Sequence, residues 1–295
     1  LRKKASQHLI ISSFVAVSLL LFCGCFFQKD SNPSEPVTSI SDQYLVSTNE
    51  RFDKGVMKNA EYVHVLLYHI VIPEKEVSSN AAGMIVPLEE FQEQMAWLKK
   101  NGYTTTTLSQ FAAWLHGEGE LPEKSVLITF DDGYSSISQY VWPVLEENQF
   151  TCTVFIIGAF TDASDTGSEY LSWEQILAMD EAKVAEFQSH TYDGHGGITS
   201  NPNILSWSRE EIAEDFALLE EAFKSNGLDK PWAFAYPFGA INDHLLEVLA
   251  ERQYSLAFTT KHGFVKPGDD PLTLKRIIIW PDTTIEQFEH KLKGE

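Results

Sequence analysis

From Tyr62 onward, short apolar runs alternate with longer amphipathic stretches. Val63, Val65, Leu66 and Leu67 predict a strand that ends at Tyr68-His69. Leu88, Phe91, Met95 and Leu98 recur at helical spacing and predict a helix over 88–100, stopped by Gly102. The same alternation predicts strands over 103–107, 125–130, 152–157, 184–188, 232–236, 256–259 and 274–279. Between them it predicts helices over 109–116, 136–148, 173–179, 208–225, 242–252 and 284–292. Ser172 reads as an N-cap, Ser208 with Glu211 as a capping box, and Pro143 as a kink. Strand and helix in steady alternation make parallel βα units, and seven or eight of them make a barrel rather than an open sheet.

The first 60 residues do not follow this pattern. Arg2, Lys3 and Lys4 precede an apolar run from Leu9 to Phe22, which is short for a membrane span. Residues 1–25 read as a targeting segment. Phe22-Cys23-Gly24-Cys25 resembles the lipobox of bacterial lipoproteins, with Cys25 as the lipidated residue; an uncleaved signal anchor is the alternative. Residues 26–60, with Ser31-Asn32-Pro33-Ser34-Glu35-Pro36, read as a polar linker, and 61–295 as the folded domain. Both versions of the N-terminus put the domain outside the cytoplasmic membrane, on its outer face, anchored by lipid or by an apolar segment.

Composition narrows the partners. The formal net charge of -20 disfavours nucleic acid and anionic membrane surfaces, and it suits a cationic glycan product. Of the three cysteines, only Cys152 falls in the predicted domain, so no disulfide is expected there and a buried, inert thiol is. No segment signals an oligomer, and a monomer is expected.

The candidate chemistry centres on Ser125 to Tyr134. A buried strand, Val126 to Phe130, runs into Asp131, Asp132 and Gly133. That places two carboxylates at a strand's C-terminal end, where α/β folds keep their sites. On an extended chain such neighbours point to opposite sides, so that one can hold a metal while the other faces a substrate water. Asp-Asp-Gly alone is an ordinary turn sequence. His190 and His195 after one predicted strand, and His69 after another, change that picture.

Thr129-Phe130-Asp131-Asp132-Gly133 resembles the first motif of the polysaccharide deacetylases, carbohydrate esterase family 4. Ser189-His190-Thr191-Tyr192-Asp193-Gly194-His195 resembles their second motif, and Ala235-Tyr236-Pro237-Phe238-Gly239 a weakened third. The resemblance covers roughly residues 61–280. It implies a distorted (β/α)7–8 barrel of parallel strands. It also implies a divalent metal, Zn²⁺ first with Co²⁺, Ni²⁺ or Fe²⁺ as alternatives, held by Asp132, His190 and His195, and Asp131 as the general base.

Three departures point to a subgroup. The second histidine follows the first by five residues instead of four, as in the enzymes that deacetylate poly-β-1,6-N-acetylglucosamine. No Leu-X-His motif follows residue 255. His262 reads as a loop residue and His290 as part of the closing helix, whereas Leu67-Tyr68-His69 ends the first strand. This resembles the circularly permuted members, where the last motif lies at the N-terminus, and it implies His69 as the general acid. Ala235 stands where the third motif carries an arginine, and Arg276 is the candidate to orient Asp131 instead. The backbone N–H of Phe238 is the candidate oxyanion donor. Tyr134, Trp173 and Trp280 are candidate sugar-contacting aromatics, each also able to serve simply as core.

The expected activity is N-deacetylation of N-acetylglucosamine units in an extracellular polysaccharide, with the poly-N-acetylglucosamine of a biofilm or capsule favoured. Peptidoglycan deacetylation, glycan O-acetyl esterase activity and an inactive carbohydrate-binding lipoprotein are the alternatives.

Overall fold

Parallel strands make up the centre of the computed structural model, which describes residues 58–77, 84–164, 168–198 and 201–293. The targeting segment, Cys25 and nearly all of the linker lie outside the described residues. The strands are β1 (His64–Tyr68), β2 (Ile70–Ile72), β3 (Ile85–Pro87), β4 (Thr104–Thr105), β5 (Ser125–Phe130), β6 (Cys152–Ile156), β7 (Ala185–Ser189), β8 (Gly197–Ile198), β9 (Asn201–Pro202), β10 (Ala233–Ala235), β11 (Leu256–His262) and β12 (Leu274–Ile278). The main sheet runs β1-β12-β11-β10-β7-β6-β5-β4, and β1 also pairs with β5. That last pairing closes seven parallel strands into a barrel. β4 pairs with the first two residues of β5 and β6 with its last two, so β4 wedges in at one end of that seam.

Closure explains the strand sequences. Every residue of β1 and β5 is buried, because the barrel interior covers one face and helices cover the other. Leu66, Val126, Ile128 and Val154 pack outward against Phe91, Met95 and Leu98 of the helix Leu88–Lys100. Val65, Leu127, Phe155 and Phe258 pack inward, where Phe111 and Trp114 of the helix Leu108–Leu115 join them. The two-residue period of a strand carries this inward set on to polar positions. Thr129 and Asp131 share the inward side with Leu127, and Arg276 shares it with Leu274.

The predicted helices form within a residue or two of their expected bounds, except that 136–148 is α-helical only over Trp142–Asn148; Ser172 caps its helix, in a box with Gln175, and the predicted box of Ser208 and Glu211 is made. Four features differ. Pro143 opens the helix Trp142–Asn148 instead of kinking it, because a π-helical turn, Ile137–Val141, precedes it and proline tolerates a first turn. His262 ends β11 rather than lying in a loop, paired with Arg276. The short helix Gly158–Asp162 and the β2–β3 pair are not legible in the sequence, being too short to show a period. Asp132 is not extended: its φ is 70°. A left-handed Asp132, and not strand alternation, turns the two carboxylates apart.

Candidate active site

The C-terminal ends of β1, β5, β7, β10 and β12 converge on one rim of the barrel, and the candidate residues sit there. Asp131 directly follows β5, and its N–H donates to the Tyr68 carbonyl at the end of β1. Its carboxylate faces inward to Arg276, whose Nη1 and Nη2 donate to Oδ1 and Oδ2 at 2.8 and 2.7 Å. Arg276 is 0% exposed and otherwise satisfied: Nε donates to the Thr259 carbonyl at 2.9 Å, and the guanidinium lies over the Phe155 ring. Burial pushes the Asp131 carboxyl up, but Arg276 and His190 outweigh it and hold it below the usual carboxylate range.

Asp132 turns the other way. Its Oδ1 lies 3.4 Å from Nε2 of His190 and 3.4 Å from Nε2 of His195. Gly133 completes the turn at φ 75°, where any Cβ would meet Ile156 at 3.0 Å. Burial opposes the charge on Asp132, yet the histidines hold its carboxyl well below the usual range. His190 follows β7, and its Nδ1–H donates to the Ala235 carbonyl at 2.7 Å. That bond fixes the tautomer and leaves Nε2 free to accept. Burial lowers the His190 pKa, but Asp131 and Asp132 overcome it and the net shift is upward. His195 lies 4.8 Å ring to ring from His190, and burial with its neighbour His190 lowers its pKa to about 4.

These three side chains form the one such group among the described residues able to hold a metal ion, with donor atoms all within 4.8 Å of one another. Two ligands at the ordinary zinc–nitrogen distance on a tetrahedral ion lie about 3.3 Å apart. The two 3.4 Å separations fit that geometry, and Asp132 Oδ1 is buried with no hydrogen-bond partner. One carboxylate and two neutral imidazoles suit a borderline divalent ion and leave coordination positions open.

His69 follows β1, next to the strands that carry Asp131 and Arg276. Burial lowers its pKa, the charges of Asp131 and Asp132 push the other way, and the net shift is down. Its Nδ1 is buried without a hydrogen-bond partner. Phe238 lies in the turn Pro237–Gly239 at φ 54° with its ring 4.7 Å from that of His195. Tyr134 stacks on Tyr170 at 5.0 Å, and Phe160 leans on Tyr170 at 4.5 Å. The Trp173 indole donates to Asp162 and packs edge-on against Phe223, which ties it to the core. Trp280 is 47% exposed in a cleft with Asp282, Gln287 and His290.

One residue at the site is absent from the candidates that the sequence motifs supply. Asp215, on the helix Arg209–Ser225, accepts from the backbone N–H groups of Tyr192 and Asp193, between the two histidines. Burial pushes its carboxyl up to about 6 against the pull of those N–H groups. The sequence does carry a signal for it: Asp215 falls among Ile212, Phe216 and Leu219 on the buried face of its helix.

A closed parallel α/β barrel with an Asp-His-His group and an arginine-held aspartate at its rim defines a barrel hydrolase with a candidate metal centre. Residues 118–257 match the family model described as polysaccharide deacetylase. Over 257 residues the chain is 25% identical to the poly-β-1,6-N-acetyl-D-glucosamine N-deacetylase of Escherichia coli K12, covering 76% of this chain and 38% of that protein. The chain thus spans well under half the length of that relative. It is 24% identical over 269 residues to the enzyme of the same name from Staphylococcus aureus, covering 88% of this chain and 91% of that one. The solved structure of IcaB from Ammonifex degensii superposes with a TM-score of 0.70 at 29% identity, covering 81% of this chain and all of that one.

Proposed function

We propose that this chain is a metal-dependent N-deacetylase acting on N-acetylglucosamine units of an extracellular polysaccharide, with poly-β-1,6-N-acetylglucosamine favoured. The observation that carries the proposal is the opposed pair of aspartates. Asp131 is clamped by Arg276, while Asp132, the next residue, faces His190 and His195. A barrel scaffold needs neither arrangement for its packing. The names and coverage of the relatives support the substrate, and the five-residue histidine spacing agrees with it.

In this mechanism Asp132, His190 and His195 hold a divalent ion, Zn²⁺ in the first instance. The ion supplies Lewis acidity that acidifies a water and polarises the acetamide carbonyl. Asp131, kept ionised, takes the proton of the attacking water, and Arg276 fixes the direction of its lone pairs. The C–O bond forms, the C–N bond breaks, and acetate and a free amine leave. His69 protonates the departing nitrogen. The Phe238 N–H receives the developing oxyanion, and Tyr134 walls the sugar. The domain works as a monomer outside the cytoplasmic membrane, held through Cys25 or an apolar anchor.

Acetate release tests the proposal, using the domain from residue 45 onward with β-1,6- and β-1,4-linked N-acetylglucosamine oligomers and an O-acetylated xylan oligomer. Chelator-sensitive release from the β-1,6 oligomer is expected. Release only from the β-1,4 oligomer would redirect the substrate to peptidoglycan or chitin, and release only from xylan would make the chain an esterase. No release from any of them would leave a carbohydrate-binding protein.

A further inference from the structure

We infer that Asp215 is a positioning residue that pre-shapes the His190–His195 loop for metal; this rests on the metal-site assignment above. Only four residues, Thr191 to Gly194, separate two ligands that must converge on Asp132. Its backbone is not relaxed: Thr191 has φ 81°, a region that β-branched residues avoid. Something must hold that turn. The Asp215 carboxylate accepts from Tyr192 N–H at 2.8 Å and Asp193 N–H at 2.7 Å, one on each oxygen. The Gly194 N–H also favours its charge. Consecutive N–H groups aimed at one buried anion form a rigid cradle.

The support is rigid in turn. Asp215 sits mid-helix, and its neighbours Ile212, Phe216 and Leu219 are fully buried. The loop is gripped from its other side as well. Gly158 and Ala159 N–H donate to the carbonyls of Thr191 and Tyr192, and Ile204 N–H donates to that of Gly194. A Cβ at Gly158 would lie 2.6 Å from both Leu219 and Tyr192, so the helix and the loop close tightly there. The carbonyls of Thr191, Tyr192 and Gly194 are therefore bound by the Gly158–Asp162 helix and the 3₁₀ turn Asn203–Ser206, and the N–H groups of the loop by Asp215. Loss of Asp215 leaves the Tyr192 and Asp193 N–H groups without their carboxylate acceptor and the ligand pair free to splay. Residues that orient ligands in this way are worth roughly 10–100-fold in metal affinity.

The test is Zn²⁺ affinity by competition with a chromophoric chelator, for wild type, Asp215→Asn and the control Phe223→Leu on the same helix. Asp215→Asn turns an amide N–H₂ toward a donor, so its Zn²⁺ dissociation constant is expected to rise roughly 10–100-fold. Phe223→Leu lowers the melting temperature but keeps wild-type affinity. Wild-type affinity in a folded Asp215→Asn protein, or an equal loss in Phe223→Leu, would overturn the inference. Hydrogen exchange on the metal-free wild type gives a second reading that needs no variant. Slow exchange at the Tyr192 and Asp193 amides is expected, and fast exchange there overturns the inference even if Asp215→Asn does not fold. A wild-type chain that binds no divalent ion would instead remove the metal-site assignment beneath it.

Discussion

Arg276 donates to both carboxylate oxygens of Asp131 across 145 residues of sequence, and both side chains are buried inside the barrel rim. A paired guanidinium fork orients a carboxylate in a way that a single ammonium cannot. Removing one partner leaves the other charge buried alone, which costs about 3–5 kcal/mol. Arg276→Gln is therefore expected to lose about 3 kcal/mol in urea unfolding and nearly all activity. Arg276→Lys should recover part of the stability and little of the rate. The pH dependence has a definite sign. The Asp131 pKa is depressed in the fold, so the pair's contribution is present above about pH 4 and is lost as pH falls through the folded value. The stability gap between wild type and Arg276→Gln should be widest at about pH 8 and shrink as pH falls, because the buried Asp131 of the variant takes up a proton before that of wild type does. A gap that stayed constant down to about pH 2 would mean the pair is not the source.

Metal removal should act on stability as well as on rate. Asp132, His190 and His195 come from two loops that the ion would tie together. At about 100 times its dissociation constant, a bound ion stabilises the fold by about 2.7 kcal/mol. Zn²⁺ should raise the melting temperature of the chelated protein by several degrees, and Asp132→Asn should abolish most of the rise. An equal rise in both proteins would place the ion elsewhere.

Much of the site is legible in the sequence because strands have a two-residue period. Once Leu127 faces inward, so must Thr129 and Asp131; once Leu274 does, so must Arg276. Parity is therefore enough to bring the two charges to the same interior. The left-handed turn at Asp132 is not legible. Gly133 announces a turn, but no residue type requires a positive φ at the aspartate before it. Ala235 reads as a gap in a motif, yet its backbone carbonyl holds His190, a role that any side chain would leave unmarked.

His69 and the metal group should separate in a single experiment. His69 does not belong to the Asp132, His190 and His195 group. His69→Gln is expected to keep wild-type Zn²⁺ affinity while kcat falls by about 10²–10⁴, the range for losing a general acid or base. The loss should be smaller on an activated acetyl ester, whose leaving group needs no proton. Equal losses on amide and ester would deny His69 the proton-donor role.

Glu186 supplies a prediction about stability alone. It lies on β7, four residues before His190, and accepts from the Leu108 N–H that opens the helix Leu108–Leu115, at 2.6 Å. Burial pushes its carboxyl up to about 7, with the Leu108 N–H pulling the other way. A raised folded pKa means that the proton is held more tightly in the fold. The stability Glu186 contributes is therefore full below its unfolded value, about 4.3, and is lost as pH rises toward about 7. Glu186→Gln keeps an acceptor for Leu108 and never has to bury a charge. It should match wild type near pH 4.5 and exceed it at pH 8 by on the order of 2 kcal/mol. Urea unfolding at about pH 4.5, 6 and 8 reads this directly. A difference independent of pH would show that Glu186 ionises in the fold as freely as in water, and that burial does not control its proton.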